Sequence, residues 1–315
     1  MVLEEVIEAF HLIDSPSSSG GRVASAIKRR WGGVDVTVET LKGKKGATDF
    51  LRVIIPGVKG KIKGGGAPTL GIVGRLGGVG ARPKQIGAVS DADGAIVAIA
   101  SAFKMADMSY KGDLLHGDVI ITTHICPKAP IKSHRPAPMM SSPVDMGTAL
   151  AFEVDDEMDA ILSVDTTKGN EVINHTGFAI SPTVKEGYIL KVSQDLLDVM
   201  KGVTGHAPVT FPITTQDITP YGNGISHINS IMQPSTVIDS PVVGVATTAE
   251  QIVAGIGTGA NYPFALEATT RFCVEVAKSF GMGRCHFYDG EEFARINELY
   301  GSMKVLQTPR GQKTQ

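Results

Sequence analysis

Residues 69–105, TLGIVGRLGGVGARPKQIGAVSDADGAIVAIASAFKM, constrain the fold more than any other part of the chain. An apolar run ends in glycines, passes through a loop to Asp91 and Asp93, and enters a strongly apolar helix predicted over 92–106. That order reads as a strand, a site loop and a helix. It puts carboxylates at the carboxyl edge of a buried sheet, where open α/β folds place their ligands.

Further runs repeat the theme. DVIITTHI (118–125) is continuous and β-branched, as a central strand is, and DAILSVDTT (159–167) and PVVGVAT (241–247) read the same way. VDVTVETL (34–41) alternates strictly and finds a neighbour in DFLRVIIPG (49–57), while VTFPITT (209–215) reads as one more strand and FAISPTVKEGYILKV (178–192) as extended chain. Helical periodicity marks 3–13, 22–31, 193–205 with Ser193 as its cap, 260–281 and 291–303. The proline-rich PKAPIKSHRPAPMMSSP (127–143) is expected to be a long loop, and QDITPYGNGISHINSI (216–231) a polar one. Strands alternating with helices predict a three-layer α/β/α sandwich with a mixed, mostly parallel central sheet. One domain over 1–306 is expected, followed by a flexible tail, QTPRGQKTQ, at 307–315.

With 42% hydrophobic residues the chain can bury a large core. A net charge of -2 gives no electrostatic case for nucleic acid or an anionic membrane, and the Lys-rich VKGKIKGGG (58–66) lacks the aromatics of a nucleic-acid surface. No stretch approaches the roughly 20 apolar residues that span a bilayer. The acidic amino terminus lacks the basic start of a secretory signal. Cys126, Cys273 and Cys285 make neither a CxxC pair nor an even set. A cytoplasmic protein is expected, with a small-molecule or peptide substrate as partner and no nucleic acid or membrane. The apolar Met139-Met140 pair suggests cover by a neighbour in a homo-oligomer, although an intramolecular contact explains it equally.

Polar groups accumulate at the predicted strand ends: Arg75, Asp91 with Asp93, His124, Asp165 and Asp217. Oxygen and imidazole ligands on separate strand ends are typical of metal sites in α/β hydrolytic enzymes. Asp91, Asp165 and His124 are therefore candidate ligands for Zn, Mn, Co or Ni. His124 is also the candidate base, and Arg75 the candidate stabiliser of negative charge. Arg75, Arg82, Asp217 and Asn223 are candidate substrate contacts. Each has a plainer explanation: a helix cap at Asp91, an Asx-turn at Asp165, a hydrogen-bonded core imidazole at His124, turn chemistry at Asp217 and Asn223. Cys126 reads as a buried inert thiol, and His134, His175, His206 and His227 lack metal-ligand spacing. GRLGGVGARP could cradle phosphate with Arg75 and Arg82, but it matches neither GxGxxG nor GxxxxGK[ST], and Pro83 interrupts the following helix.

The order of these pieces resembles the co-catalytic zinc aminopeptidase and carboxypeptidase superfamily, from LIDSPSSSGGRVASAI to ALEATTRFCVEVAKSF. On that resemblance Asp91 of SDADGAIVAIASA stands where the metal-bridging Asp belongs, and Asp165 of ILSVDTTKG where the terminal Asp ligand belongs. Arg75 and Gly77 replace a His ligand and its companion carboxylate. Thr123, His124 and Ile125 occupy the place of the Glu-Glu pair, and GTGAN (257–261) lacks the late His. The resemblance thus implies a hydrolase-like enzyme with a rebuilt, single-metal site for a small amide, peptide or related metabolite. Its alternative is a non-catalytic, peptidase-like protein that binds a small ligand or serves as an assembly subunit. Taken whole, GRLGGVGARP, VSDADGA, TTHICPKAP, SVDTTKGN, AISPTVKEGY and QDITPYGN resemble the bacterial domain-of-unknown-function family 1177, which implies no activity.

Overall fold

Each apolar run expected at the centre of the molecule forms a strand in a computed structural model. It describes residues 1–307 apart from 16, 76, 78, 81–86, 134–138, 169–171, 214–227 and 254. The chain opens with helices α1 (Leu3–Asp14) and α2 (Gly20–Arg30) and the hairpin β1 (Asp35–Gly43) and β2 (Gly46–Ile55). Then come β3 (Leu70–Gly74), α3 (Asp93–Tyr110), β4 (Val119–Ile125), a small hairpin β5 (Ile131–Lys132) and β6 (Met139–Met140), and α4 (Met146–Glu153). The second half contains β7 (Ala160–Lys168), β8 (Gly177–Ile180), β9 (Val184–Lys185), β10 (Tyr188–Ile189) and α5 (Gln194–Thr204). It ends with β11 (Val242–Ala249), α6 (Pro263–Gly281) and α7 (Gly290–Tyr300).

Nine strands form one mixed sheet in the order β1-β2-β4-β3-β7-β11-β9-β10, with β8 also paired to β11. Its centre, β4-β3-β7-β11, is parallel throughout, and every residue of β3, β4 and β11 is buried. This explains why those stretches carry no alternation: both faces are covered, so apolar residues are favoured on both. The hairpin β1-β2 joins β4 antiparallel, and β1, at the edge of the sheet, buries only Val36 of its alternating valines.

On one face α1, α2, α3, α5 and α6 enclose the main core, where Ile72, Ile121, Leu162 and Val245 meet Ile96, Phe103 and Phe272. On the other face Val73, Ile161 and Ala246 meet Ile231 and Met232 of a short 3-10 segment, Ser230–Thr236, and Val154 just beyond α4. Helix α3 is buried almost all round because it packs on the sheet while α1, α2 and α6 cover its outer side.

Several expectations are corrected. The helix expected from 92 begins at Asp93, after a 3-10 turn at Ser90–Ala92, and runs on to Tyr110. The strand expected at 209–215 is reduced, among the described residues, to a single bridge between Ile180 and Thr210, since Pro212 offers no ladder donor there. The expected loop at 127–143 contains the β5-β6 hairpin, and Met140 is covered from within the chain by a small cluster with Val89, Cys126, Ala129 and Ile256. Gln307, expected in the tail, donates through Nε2 to the carbonyls of Ser235 at 3.1 Å and Ile238 at 2.7 Å. Among the described residues no helix is long and apolar enough to cross a membrane.

Candidate functional site

Because β3, β4, β7 and β11 are parallel, their carboxyl ends share one edge, and that edge collects Arg75, His124, Asp165, Lys168 and Thr247. The first turn of α3 lies directly on it. A Cβ on Gly94 would sit 2.5 Å from the Arg75 carbonyl and 2.6 Å from that of Val164, so only glycine permits this approach. The same docking carries Asp91 and Asp93 to the strand ends. The Thr247 hydroxyl ties the two sides together, donating to Asp93 Oδ2 at 2.7 Å while lying 3.3 Å from the carbonyl of Asp165.

Alternation along the strands then sorts these groups between the faces. Arg75 follows Val73 toward α4, and Asp165 follows Ile161 and Ser163, whose hydroxyl donates to the Ile231 carbonyl at 2.5 Å. Arg75 is 1% exposed and its guanidinium is held by Glu153 and Gln233. Glu153 is brought there by the end of α4, whose carbonyl accepts from the Thr122 hydroxyl at 2.6 Å. His124 is buried beside this pair and stacks on Phe50 at 5.1 Å. Its Nε2 lies 3.1 Å from the Gly77 amide and accepts from it, and its Nδ1 faces the Thr48 hydroxyl at 2.8 Å. Since a backbone N–H can only donate, the ring is neutral with its proton on Nδ1. Burial first, and then the Arg75 charge, hold its pKa below the ordinary value of 6.5, against the opposing pull of Glu153. A cavity of about 20 Å³ among Arg75, His124, Cys126, Ser141 and Glu153 is large enough for one water molecule.

Toward α3 lies a second buried ion pair, Lys168 Nζ to Asp93 Oδ2 at 2.6 Å, with both side chains 1% exposed. Lys168 also donates to the Ala260 carbonyl at 2.6 Å and lies over the Tyr262 ring at 5.4 Å. Asn261 Nδ2 reaches Asp93 Oδ1 at 2.6 Å and the Val89 carbonyl at 2.9 Å. Asp91 sits in the preceding turn, its amide donating to the Gly255 carbonyl at 2.9 Å, and its carboxylate fills the space a side chain at 255 would need. Several buried polar atoms at this edge have no hydrogen-bond partner among the described residues: Arg75 Nε, Gln233 Nε2, Thr166 Oγ1, Thr248 Oγ1 and Asn261 Oδ1. Each such atom costs about 1–3 kcal/mol, and a group of them at one sheet edge is what a polar ligand site leaves in a folded chain.

Of the residues expected from sequence, Arg75, Asp91, His124 and Asp165 lie along this edge. Arg82, Asp217 and Asn223, and likewise His134 and His227, lie outside the described residues. Asp91 belongs to the layer of α3, whereas Asp165 is directed to the layer of α4, so the two acids flank the edge from either face. Arg75 and His124 are placed as expected but engaged differently: the guanidinium neutralises Glu153, and the imidazole secures the loop after β3. Glu153, Gln233, Lys168 and Asn261 were not expected. Lys168 had one visible signal, a charge three positions after Asp165 at the end of a buried strand. Asn261 stands in GTGAN, the segment from which the resemblance expected a histidine.

The donor set bears on which cation this edge would hold. His124 spends both ring nitrogens within the protein, and burial pushes the Cys126 thiol up to about 11, so neither offers the soft donors that Zn, Co and Ni favour. Among the described residues no three His, Cys, Asp or Glu side chains come together. Asp91 and Asp165 carry oxygen donors, the type that suits Mn among the expected cations, and they approach the edge from opposite faces of the sheet.

A structure of a mutant tomato leucine aminopeptidase resembles the fold with a TM-score of 0.53 at 11% identity, over 87% of this chain and 61% of that one. The chain thus spans about 61% of the length of that neighbour, and at this identity the likeness is one of fold. No curated protein matches the sequence significantly. Residues 39–310 match the pattern of a protein family described as a protein of unknown function, DUF1177. Gly74, Arg75 and residues 163–168, which contribute to the sheet edge just described, lie within the matched region, and the chain belongs to the DUF1177 family.

Proposed function

We propose that the chain is a hydrolase-like enzyme acting on a small amide, peptide or related metabolite at the carboxyl edge of β3, β7 and β11. The observation that carries this reading is the gathering of acids and unpartnered buried polar atoms where an open α/β sheet binds its ligands. Asp91 from the α3 side and Asp165 from the α4 side would reach over the strand ends to hold one oxygen-preferring divalent cation between them. When bound, that ion supplies polarisation of the scissile carbonyl and activation of water. Asp165, whose Oδ1 is fixed by the Thr166 amide at 2.7 Å, would orient the attacking water and take its proton. Arg75 and Lys168, each neutralised by its own carboxylate, would shape the edge without adding net charge. His124 would be a positioning residue that holds Gly77 and the loop behind it.

The test is hydrolysis of a panel of aminoacyl anilides and short acyl amides by the full chain, with and without Mn²⁺. Turnover that needs Mn²⁺ and falls at least about 100-fold in kcat/KM in both Asp91→Asn and Asp165→Asn supports the reading. Turnover indifferent to both substitutions contradicts it. The engagement of both Arg75 and His124 by the protein favours a second reading, a non-catalytic binder. That reading predicts cation binding lost in the same variants without hydrolysis of any amide.

A further inference from the structure

A second hollow lies away from the sheet edge. About 400 Å³ opens between the end of α5 and the first half of α6, within the range of about 300–1,000 Å³ typical of small-molecule sites. The sequence explains why space is left. Between its larger lining residues α6 presents the small side chains of Ala265 and Ala268, and α5 ends before Gly205, whose φ of +71° turns the chain away through His206. Phe178 and Met200, both buried, line the floor, and Val209 forms part of one wall. Phe264 stands at the mouth 80% exposed, an apolar ring that this fold leaves in water. None of the lining residues takes part in the acid and ion-pair cluster of the sheet edge.

One charged group controls the polar end. The Arg271 guanidinium is anchored by Nη1 to the Val203 carbonyl at 2.6 Å and by Nη2 to Glu267 Oε2 at 3.0 Å. Each of these two nitrogens carries a second N–H, and the Arg271 side chain is 37% exposed where it lines the cleft. Glu267 is itself engaged, its other oxygen accepting from the Val2 amide at 3.3 Å. The guanidinium is therefore a fixed donor awaiting an acceptor, oriented before any ligand arrives. It also lines a neighbouring hollow of about 300 Å³ beside Leu3, so it stands where the two spaces meet. His175 and His206 at the rim are exposed and able to donate to the same acceptor, and Glu267 is the only carboxylate in the lining.

We propose that this cleft is a second binding site, for a small monocarboxylate with an apolar body. The carboxylate would accept from Arg271, and the body would lie over Phe178, Met200 and Phe264. Burial of the body against these side chains supplies the affinity, and the anchored guanidinium supplies the choice of an acid over a neutral analogue.

The experiment is calorimetric titration of the full chain with phenylbutyrate, phenylbutanol and phenylbutylamine, which share a body and differ in head group. Phenylbutyrate should bind at least about tenfold more tightly than either analogue. Arg271→Met should abolish that preference. Because Arg271 also holds α5, a second variant guards against misfolding: Ala268→Trp fills the cavity from a half-buried position on α6 and should abolish binding of all three compounds. Asp91→Asn, at the sheet edge, should bind phenylbutyrate as the wild type does. Equal affinity for acid and alcohol, binding unaffected by Ala268→Trp, or no binding of phenylbutyrate would each overturn the proposal, whatever becomes of the hydrolase reading.

Discussion

His124 shows how far neighbours decide what a side chain can do. Its Nε2 is spent on the Gly77 amide, so protonating the ring breaks that bond and places a second cation beside Arg75. Its folded pKa lies below 6.5, so the unfolded chain takes up the proton first as pH falls. Its contribution to stability is complete above that value and is lost below it, at up to about 1.4 kcal/mol per pH unit. Thermal unfolding of the wild type should therefore weaken between about pH 7.5 and about pH 5.5 more than that of His124→Phe, which keeps the ring stacked on Phe50 but cannot titrate. Parallel pH profiles would refute this account of the imidazole. Arg75 and Glu153 allow a complementary test. Glu153→Gln leaves a guanidinium buried and uncompensated and should cost about 3–5 kcal/mol in urea unfolding. The double variant Arg75→Met with Glu153→Leu should recover most of that loss, and a double variant that merely adds the two penalties would deny the coupling.

At the scale of elements, the placement of the acids depends on how closely α3 approaches the ends of β3 and β7. Gly94→Ala would gain helix propensity of up to about 1 kcal/mol, yet its methyl would meet two backbone carbonyls. The variant should be destabilised by more than about 2 kcal/mol. Gly202, inside α5, has open space where a Cβ would go, and Gly202→Ala should stabilise by about 0.5–1 kcal/mol. Equal effects of the two alanines on chemical denaturation would show that the close approach is unimportant. The elements themselves were legible where both faces are buried, as in β3, β4, β7 and β11. Legibility failed where tertiary contacts override local chemistry. VTFPITT has strand-like residues, but with Pro212 in it the described residues 209–213 form a single bridge to Ile180 and no ladder.

Across the whole molecule, the carboxyl edge was readable because parallel strands must deliver their ends together, so Asp91 and Asp165 could be assigned to it from sequence alone. The partners at that edge were not readable. Glu153 and Gln233 reach Arg75 across 78 and 158 positions, and Asn261 reaches Asp93 across 168, distances over which no local pattern speaks. The family match supplies membership, and the likeness to a leucine aminopeptidase supplies a fold, so the central claim rests on the acids at the edge. Calorimetric titration of Mn²⁺ into the metal-free full chain, Asp91→Asn and Asp165→Asn tests it most directly. The account predicts one ion bound per chain, with affinity reduced at least about tenfold in each variant. Unchanged Mn²⁺ affinity in both variants would contradict it.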